Sequence, residues 1–415
     1  MKYANSLKYM NTFVPCLPQE LPSQRRVSEL CAALGRINTG TPCIFLPAGS
    51  AGHASSIMLE AVIVASGHTV GRITSAHGFD SRSSVFINGE IASIDDYNKA
   101  VAELKSAVQK TPDEVYTKEE VAFVLGLLLC RMADCRYIIL EGLSGNGYSL
   151  DAVCAPYDLI VMPTLYGEDG TADQLKMLCD AVKRGTREVV SGNQRSEIYN
   201  KISNACVFNG IRLYIPVKAQ FETVAMTSRH LDFDYGGRTG YSLRSPSHIL
   251  RDCSMTVIES ALALRRGGVR MPWNAITSGM ASTTNTSCFD IMSISPIALL
   301  DSAETIGESE LMLNTADEVF GKENVRGFAV CIPESATGLL DPVADRDIDE
   351  VVVVTDKSAD ELGDLYAKSV TTVSNMAEAA NRVDVIVKDN RDIVCLGGVT
   401  FICDLKNEIL KILNN

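Results

Sequence analysis

The stretch Phe45-Leu-Pro-Ala-Gly-Ser-Ala-Gly-His-Ala-Ser-Ser56 has residue types and spacing that could do chemistry. It lies between an apolar run and a helical pattern. Small residues there let backbone N–H groups turn inward, and a helix N-terminus adds partial positive charge. Gly49, Ser50, Gly52, Ser55 and Ser56 could therefore cradle an anion such as a nucleotide phosphate. A working phosphate loop also carries a Lys beside its last Gly, to reach the β and γ phosphates, followed by Ser or Thr for Mg2+. His53 fills the Lys position here. The plain alternative is a tight strand-to-helix turn with Ser55 as a local cap.

The other reactive side chains are cysteines. The chain has 13, an odd number, and its opening MKYANSLKYM lacks the apolar core of a signal peptide. Reduced thiols in a cytoplasmic protein are the expectation. No CxxC pair occurs, the closest pair being Cys130 and Cys135, so the thiols read as core filler rather than zinc ligands.

Elements must hold the loop in place. Short aliphatic runs predict buried strands at Cys43 to Pro47, Tyr137 to Leu140, Leu159 to Pro163, Arg212 to Ile215, Ile297 to Leu300, Gly327 to Ile332, Val351 to Thr355 and Val383 to Val387. Helical patterns lie between them at Ser56 to Ser66, Lys118 to Met132, Ala172 to Lys183, Leu250 to Arg265 and Ser309 to Phe320. Phe233 to Leu243, with Gly236, Gly237 and Gly240, reads as a hairpin on the first unit. Strands apolar on both faces, alternating with amphipathic helices, give an α/β fold with parallel sheets covered by helices.

The 415 residues suffice for two or three domains, and the net charge of −13 disfavours nucleic acid and membrane surfaces as partners. From Asp301 onward there are 23 acidic and 10 basic side chains, so this segment carries the whole net charge. That shift, with the turn-rich stretch Arg265 to Thr286, places a domain boundary before residue 301. The acidic run Asp341 to Glu350 reads as a solvated loop. The longest apolar stretch, Val121 to Cys130, is too short to span a membrane.

Taken in order, the motifs resemble the folylpolyglutamate synthase/dihydrofolate synthase branch of the Mur ligase superfamily. Gly49-Ser-Ala-Gly-His-Ala-Ser55 stands for the family's GTNGKGS loop and Thr74-Ser-Ala-His77 for TSPH, while Ile87-Asn-Gly-Glu90 matches the INGE turn. Ile139 to Gly145 is similar to the EVGLGG strand end, with Glu141 in the glutamate position. Glu168-Asp-Gly170 stands for DH, His248-Ile249 for HQ and Asp301-Ser-Ala-Glu-Thr305 for DGAHN. Tyr3 to Met10 and Gly397 to Ile402 resemble the family's two ends. The resemblance implies an N-terminal P-loop-like domain of the Mur ligase central type, with a parallel or mixed sheet, over residues 1–270. A linker at 271–286 and a smaller C-terminal Rossmann-like α/β domain over 287–415 complete it.

That branch phosphorylates a carboxylate with ATP, and an amine then displaces the phosphate. Catalysis of this kind depends on positive charge around the transferred group. By the resemblance Gly49, Ser50, Gly52, His53, Ser55, Ser56 and Asp301 would bind nucleotide, and Ser55 and Glu141 would hold Mg2+. The candidate catalytic groups are His53, His77 and Glu141. Each also has a plain reading: Glu141 as a surface carboxylate, Asp301 as a cap on the following helix, which is the favoured reading, and His77 as a structural histidine. The loop Lys is replaced by His53, the metal-ligand His by Gly170 and the C-terminal His by Glu304, and Thr283 to Phe289 offers no junction Arg. Lys183 is a loose counterpart of the lysine the family carbamylates.

The leading expectation is a pseudoenzyme with a degenerate P-loop that binds a small molecule in the interdomain cleft, or an active ligase paralogue, with no certain cofactor. The alternative is an active ATP-dependent amide ligase, using ATP and Mg2+, in which Arg72, Arg82 or another chain supplies the missing cation. A third reading is an enzyme of another class working in the same cleft without ATP.

Overall fold

The structure is a computed structural model and describes every residue except 1, 16–21, 75–80, 143–149, 167–170, 184–185, 285, 325–327, 344–345, 358–368 and 414–415. Its first sheet is built from β1 (Cys43–Leu46), β2 (Val70–Ile73), β3 (Val85–Ile87), β4 (Glu90–Ile91), β5 (Tyr137–Glu141), β6 (Tyr157–Met162), β7 (Thr186–Ser191) and β8 (Arg212–Tyr214). The strand order is β4-β3-β2-β5-β1-β6-β7-β8. The six strands from β2 to β8 in that order are parallel, and β3 and β4 are antiparallel additions at one edge.

Both faces of this sheet are covered, which is why its central strands are apolar throughout. One face packs against α1 (Tyr3–Met10), α2 (Gln24–Ala33), α4 (Ile94–Val108), α5 (Lys118–Met132), α6 (Thr171–Lys183) and α7 (Ser196–Phe208). The other packs against α3 (Ser50–Ala65), α8 (His248–Arg266) and α9 (Trp273–Ser282). A three-stranded antiparallel sheet of β9 (Phe221–Met226), β10 (Leu231–Tyr235) and β11 (Arg238–Leu243) joins that second layer. Gly236 and Gly237, both at positive φ, make the tight β10–β11 turn expected from the sequence.

The second sheet holds β12 (Asp290–Ile294), β13 (Ile297–Asp301), β14 (Phe328–Pro333), β15 (Ile348–Val354), β16 (Ser369–Val373) and β17 (Ile393–Leu396), in the order β12-β13-β17-β14-β15-β16. Only β12 is antiparallel. Helix α10 (Ile306–Phe320) covers one face, and α11 (Met376–Lys388) and α12 (Val399–Leu413) cover the other. The layout is the two-domain α/β arrangement expected from the sequence.

Several local expectations are corrected. Val383 to Val387 is not a strand but part of α11, because Ala379, Ala380, Val383 and Ile386 bury one helical face; the strand nearby is β17, and β2, β3, β4, β7, β9, β12 and β16 are further strands outside the expected runs. Residues 271–286, expected as a linker, contain α9. A Cβ on Gly279 would lie 2.6 Å from the Val62 Cα, so α9 is seated directly on α3. Helix α3 begins at Ser50 rather than Ser56. The acidic run to Glu350 is not all solvated: Glu350 is buried at the start of β15 and accepts hydrogen bonds from Arg382 and Arg391.

Candidate functional site

The parallel register pairs Leu46, the last residue of β1, with Glu141, the last of β5. Glu141 therefore stands beside the loop that leads into α3, at the carboxyl edge of the sheet where open α/β folds bind ligands. It is 5% exposed and fully partnered. Its Oε1 lies 2.9 Å from His53 Nδ1, and its Oε2 accepts from Ser56 Oγ at 2.8 Å and Arg72 Nη1 at 3.3 Å. Burial alone would raise its pKa, but the His53 and Arg72 charges and the hydrogen bonds outweigh that and hold it down at about 2.

Arg72 extends the cluster. It is 3% exposed on β2, and its Nε donates to Glu60 Oε2 of α3 at 2.7 Å. Glu60 Oε1 in turn accepts from the Gly89 N–H at 2.8 Å, in the turn between β3 and β4. The Arg72 guanidinium also stacks over Phe86, 4.2 Å from the ring centroid. Two buried carboxylates are thus held by one guanidinium, one imidazole, one hydroxyl and one backbone amide.

The loop itself is packed. A Cβ on Gly52 would sit 1.9 Å from the Pro47 carbonyl oxygen, so only glycine allows this close turn. Ser50 Oγ is 2.7 Å from Ser302 Oγ and 3.4 Å from Cys288 Sγ, so the second domain seats directly on the first turn of α3. Ser55 Oγ is buried without a hydrogen-bond partner, with the Cys253 thiol beside it. Ser56 Oγ is shared between Glu141 and the His53 carbonyl.

Asp301 does not cap α10. Both of its oxygens accept backbone N–H groups, from Phe289 at 2.7 Å and Ala303 at 2.9 Å, which ties the start of β12 to the end of β13. Burial pushes its pKa up to about 7 against the pull of those two bonds. The cap is Thr305, in a reciprocal box with Glu308. Glu304 accepts from the Val399 N–H and lies close enough to feel the charges of His53 and Glu141.

The remaining sequence candidates scatter. His77, Glu168, Asp169 and Gly170 lie outside the described residues. His248 pairs with Glu318 at 2.8 Å. Lys183 forms an exposed pair with Asp180, and Arg82 donates to the Ala92 carbonyl. Glu60 was missed by the sequence reading, although a Glu inside Met58-Leu-Glu-Ala-Val-Ile63 and an Arg inside Val70-Gly-Arg-Ile73 are the signal of a buried pair.

A cavity of about 680 Å3 opens beside the cluster, between the two domains. His53, Arg72, Phe86 and Glu90 line it from the first domain, and Asp404 and Asn407 of α12 from the second. An imidazole braced by a carboxylate on a cavity wall can bind a polar ligand or move a proton. The described residues do not fit a nucleotide with its Mg2+ as arranged. Both Glu141 oxygens are taken, the Ser50 hydroxyl is spent on the second domain, and no group of three or more His, Cys, Asp or Glu among the described residues could hold a metal ion.

No family profile and no curated protein sequence matches the chain. Solved structures do. The folylpolyglutamate synthase of Mycobacterium tuberculosis, complexed with ADP and AMPPCP, is 18% identical with a TM-score of 0.79 over 98% of both chains. That of Thermotoga maritima is 17% identical, with a TM-score of 0.74 over 98% of this chain and 96% of that one. A folylpolyglutamate synthase complexed with AMPPCP and folate is 15% identical, with a TM-score of 0.79 over 99% of this chain and all of the other. The expected likeness to this branch of the Mur ligase superfamily is borne out at the level of fold, from end to end.

Proposed function

We propose that this chain, built on the folylpolyglutamate synthase fold, is a pseudoenzyme that binds a small polar molecule in the cavity between its domains. The observation that carries the reading is the saturation of Glu141 by His53, Ser56 and Arg72, where an ATP-driven ligase needs a carboxylate open to metal. The missing loop Lys and the Ser50–Ser302 contact point the same way. The folate complex of one structural neighbour names the ligand to try first. A cytoplasmic setting suits the mostly buried thiols among the described residues. An active ligase paralogue is the partner to test by co-purification.

Purified protein given ATP, Mg2+, glutamate and a folate is expected to release no ADP above background. Sustained ADP release that depends on the acceptor overturns the proposal.

One observation favours a second reading, an active amide ligase. Arg72 lines the cavity beside the loop, which puts a cation where the missing-cation idea needs one. Calorimetry with ATP and Mg2+ separates the two, since a ligase must bind nucleotide at cellular, millimolar concentration.

A further inference from the structure

A second cavity, of about 600 Å3, lies on the other side of Thr283 and Thr284, which line both cavities. None of Gly49 to Ser56 lines it, so it is separate from the loop discussed above. Its walls come from the β9–β10 turn, the end of β11, the segment entering β12 with β12 itself, Met58 of α3, Leu250 of α8 and Lys406 of α12.

Its charge is opposite to that of the molecule. Arg229, Arg244 and Lys406 line it, and Asp290 is the only carboxylate residue among its lining. Lys406 is paired with Asp290, which leaves the two arginines as the net charge of the walls. The β9–β10 turn is fixed by Thr227, whose hydroxyl accepts the N–H groups of Arg229 and His230, and it holds Arg229 at the rim. Arg244 donates through Nε to the Ala281 carbonyl at 2.9 Å, which anchors the guanidinium by one edge. Among the described residues no carboxylate pairs with either arginine. Thr286, only 7% exposed and lining the same space, makes no hydrogen bond through its hydroxyl to any described residue.

A chain with net charge −13 has acidic partners to spare for its arginines. Two guanidiniums without a carboxylate partner and a hydroxyl not spent on the fold thus line one cavity, and apart from the Arg244 Nε they are donors with no protein acceptor among the described residues. A guanidinium held by one edge offers its remaining N–H groups as a fork that matches two oxygens of a phosphate or carboxylate. We infer that this cavity is a binding site for a small polyanion bearing phosphate or carboxylate groups, held by Arg229, Arg244 and Thr286 across the domain junction. Because the long-range field of the protein repels anions, binding rests on these local contacts and weakens as salt rises.

The test is calorimetric titration of the full chain, without Mg2+, with pyrophosphate and separately with citrate at low ionic strength. Binding of either supports the site, and the tighter of the two names the ligand class. The double variant R229A/R244A is expected to weaken it by about tenfold or more. Both arginines are exposed at the rim, and an unchanged melting temperature in the variant confirms that it folds. Absence of binding by both anions at millimolar concentration, or equal affinity in the folded double variant, overturns the inference.

Discussion

Arg72 keeps two buried carboxylates, Glu60 and Glu141, from facing each other unscreened. Removing one partner of a buried ion pair leaves an uncompensated charge, which costs far more than the pair itself contributes. R72M is therefore expected to lower the unfolding free energy by about 3–5 kcal/mol. R72K should lose less, since it keeps the charge but cannot fork between two carboxylates. Urea denaturation of the three proteins measures this, and a loss in R72M no larger than that of a surface substitution would mean that the cluster is solvated. The residue types in this cluster were partly legible in the chain. Glu141 and His53 were found by motif order, whereas the Arg72–Glu60 bond needs β2 and α3 to meet, a distance no local pattern encodes.

Among the elements, α9 shows how a stretch rich in turn residues becomes helix. Gly279 has no side chain, and its value is close approach: the α9 backbone passes α3 where a Cβ on Gly279 would lie 2.6 Å from Val62 Cα. Propensity made this segment read as a linker, and tertiary packing overrode it. G279A must push the two helices apart and is expected to destabilise by about 1–3 kcal/mol, the usual cost of overpacking. S278A, exposed on the same helix, should change stability by no more than about 0.5 kcal/mol. Equal midpoints for both variants in thermal or urea unfolding would show that α9 is not seated on α3. The opposite error occurred at Val383 to Val387, where a short apolar run fitted strand and helix equally well. Only the burial of Ala379 and Ala380 one turn earlier decides for helix.

For the whole molecule, the buried carboxylates set opposing responses to pH. Burial pushes Asp301 up to about 7 and Glu308 up to about 8, the latter against backbone hydrogen bonds from Glu304 and Thr305. Unfolded, both titrate near the ordinary value of about 4. From about pH 4 to 8 the folded chain thus keeps protons that the unfolded chain releases, and stability falls as pH rises through that window. Glu141 acts in the other sense. Held at about 2 when folded, it contributes stability above about pH 4 that is lost as the solution is acidified toward its folded value. Stability is expected to peak at about pH 4, with E308Q flattening the fall above it, since Gln keeps the cap but does not ionise. Urea midpoints across the pH range check this, and a flat profile from about pH 4 to 8 would refute it.

Composition and motif order determined the α/β class, the two sheets and the place of the loop before α3, because strand burial and helix periodicity are written locally. Concentration of the net charge after residue 300 likewise marked the second unit. What became of the loop was decided only in three dimensions. Arg72 reaches Glu141 because β2 lies next to β5, and Ser50 meets Ser302 because the second sheet seats on the first turn of α3. The two arginines lining the second cavity come from segments joined by no sequence signal. Such contacts depend on strand order and domain seating, which belong to the packed molecule rather than to any stretch of chain.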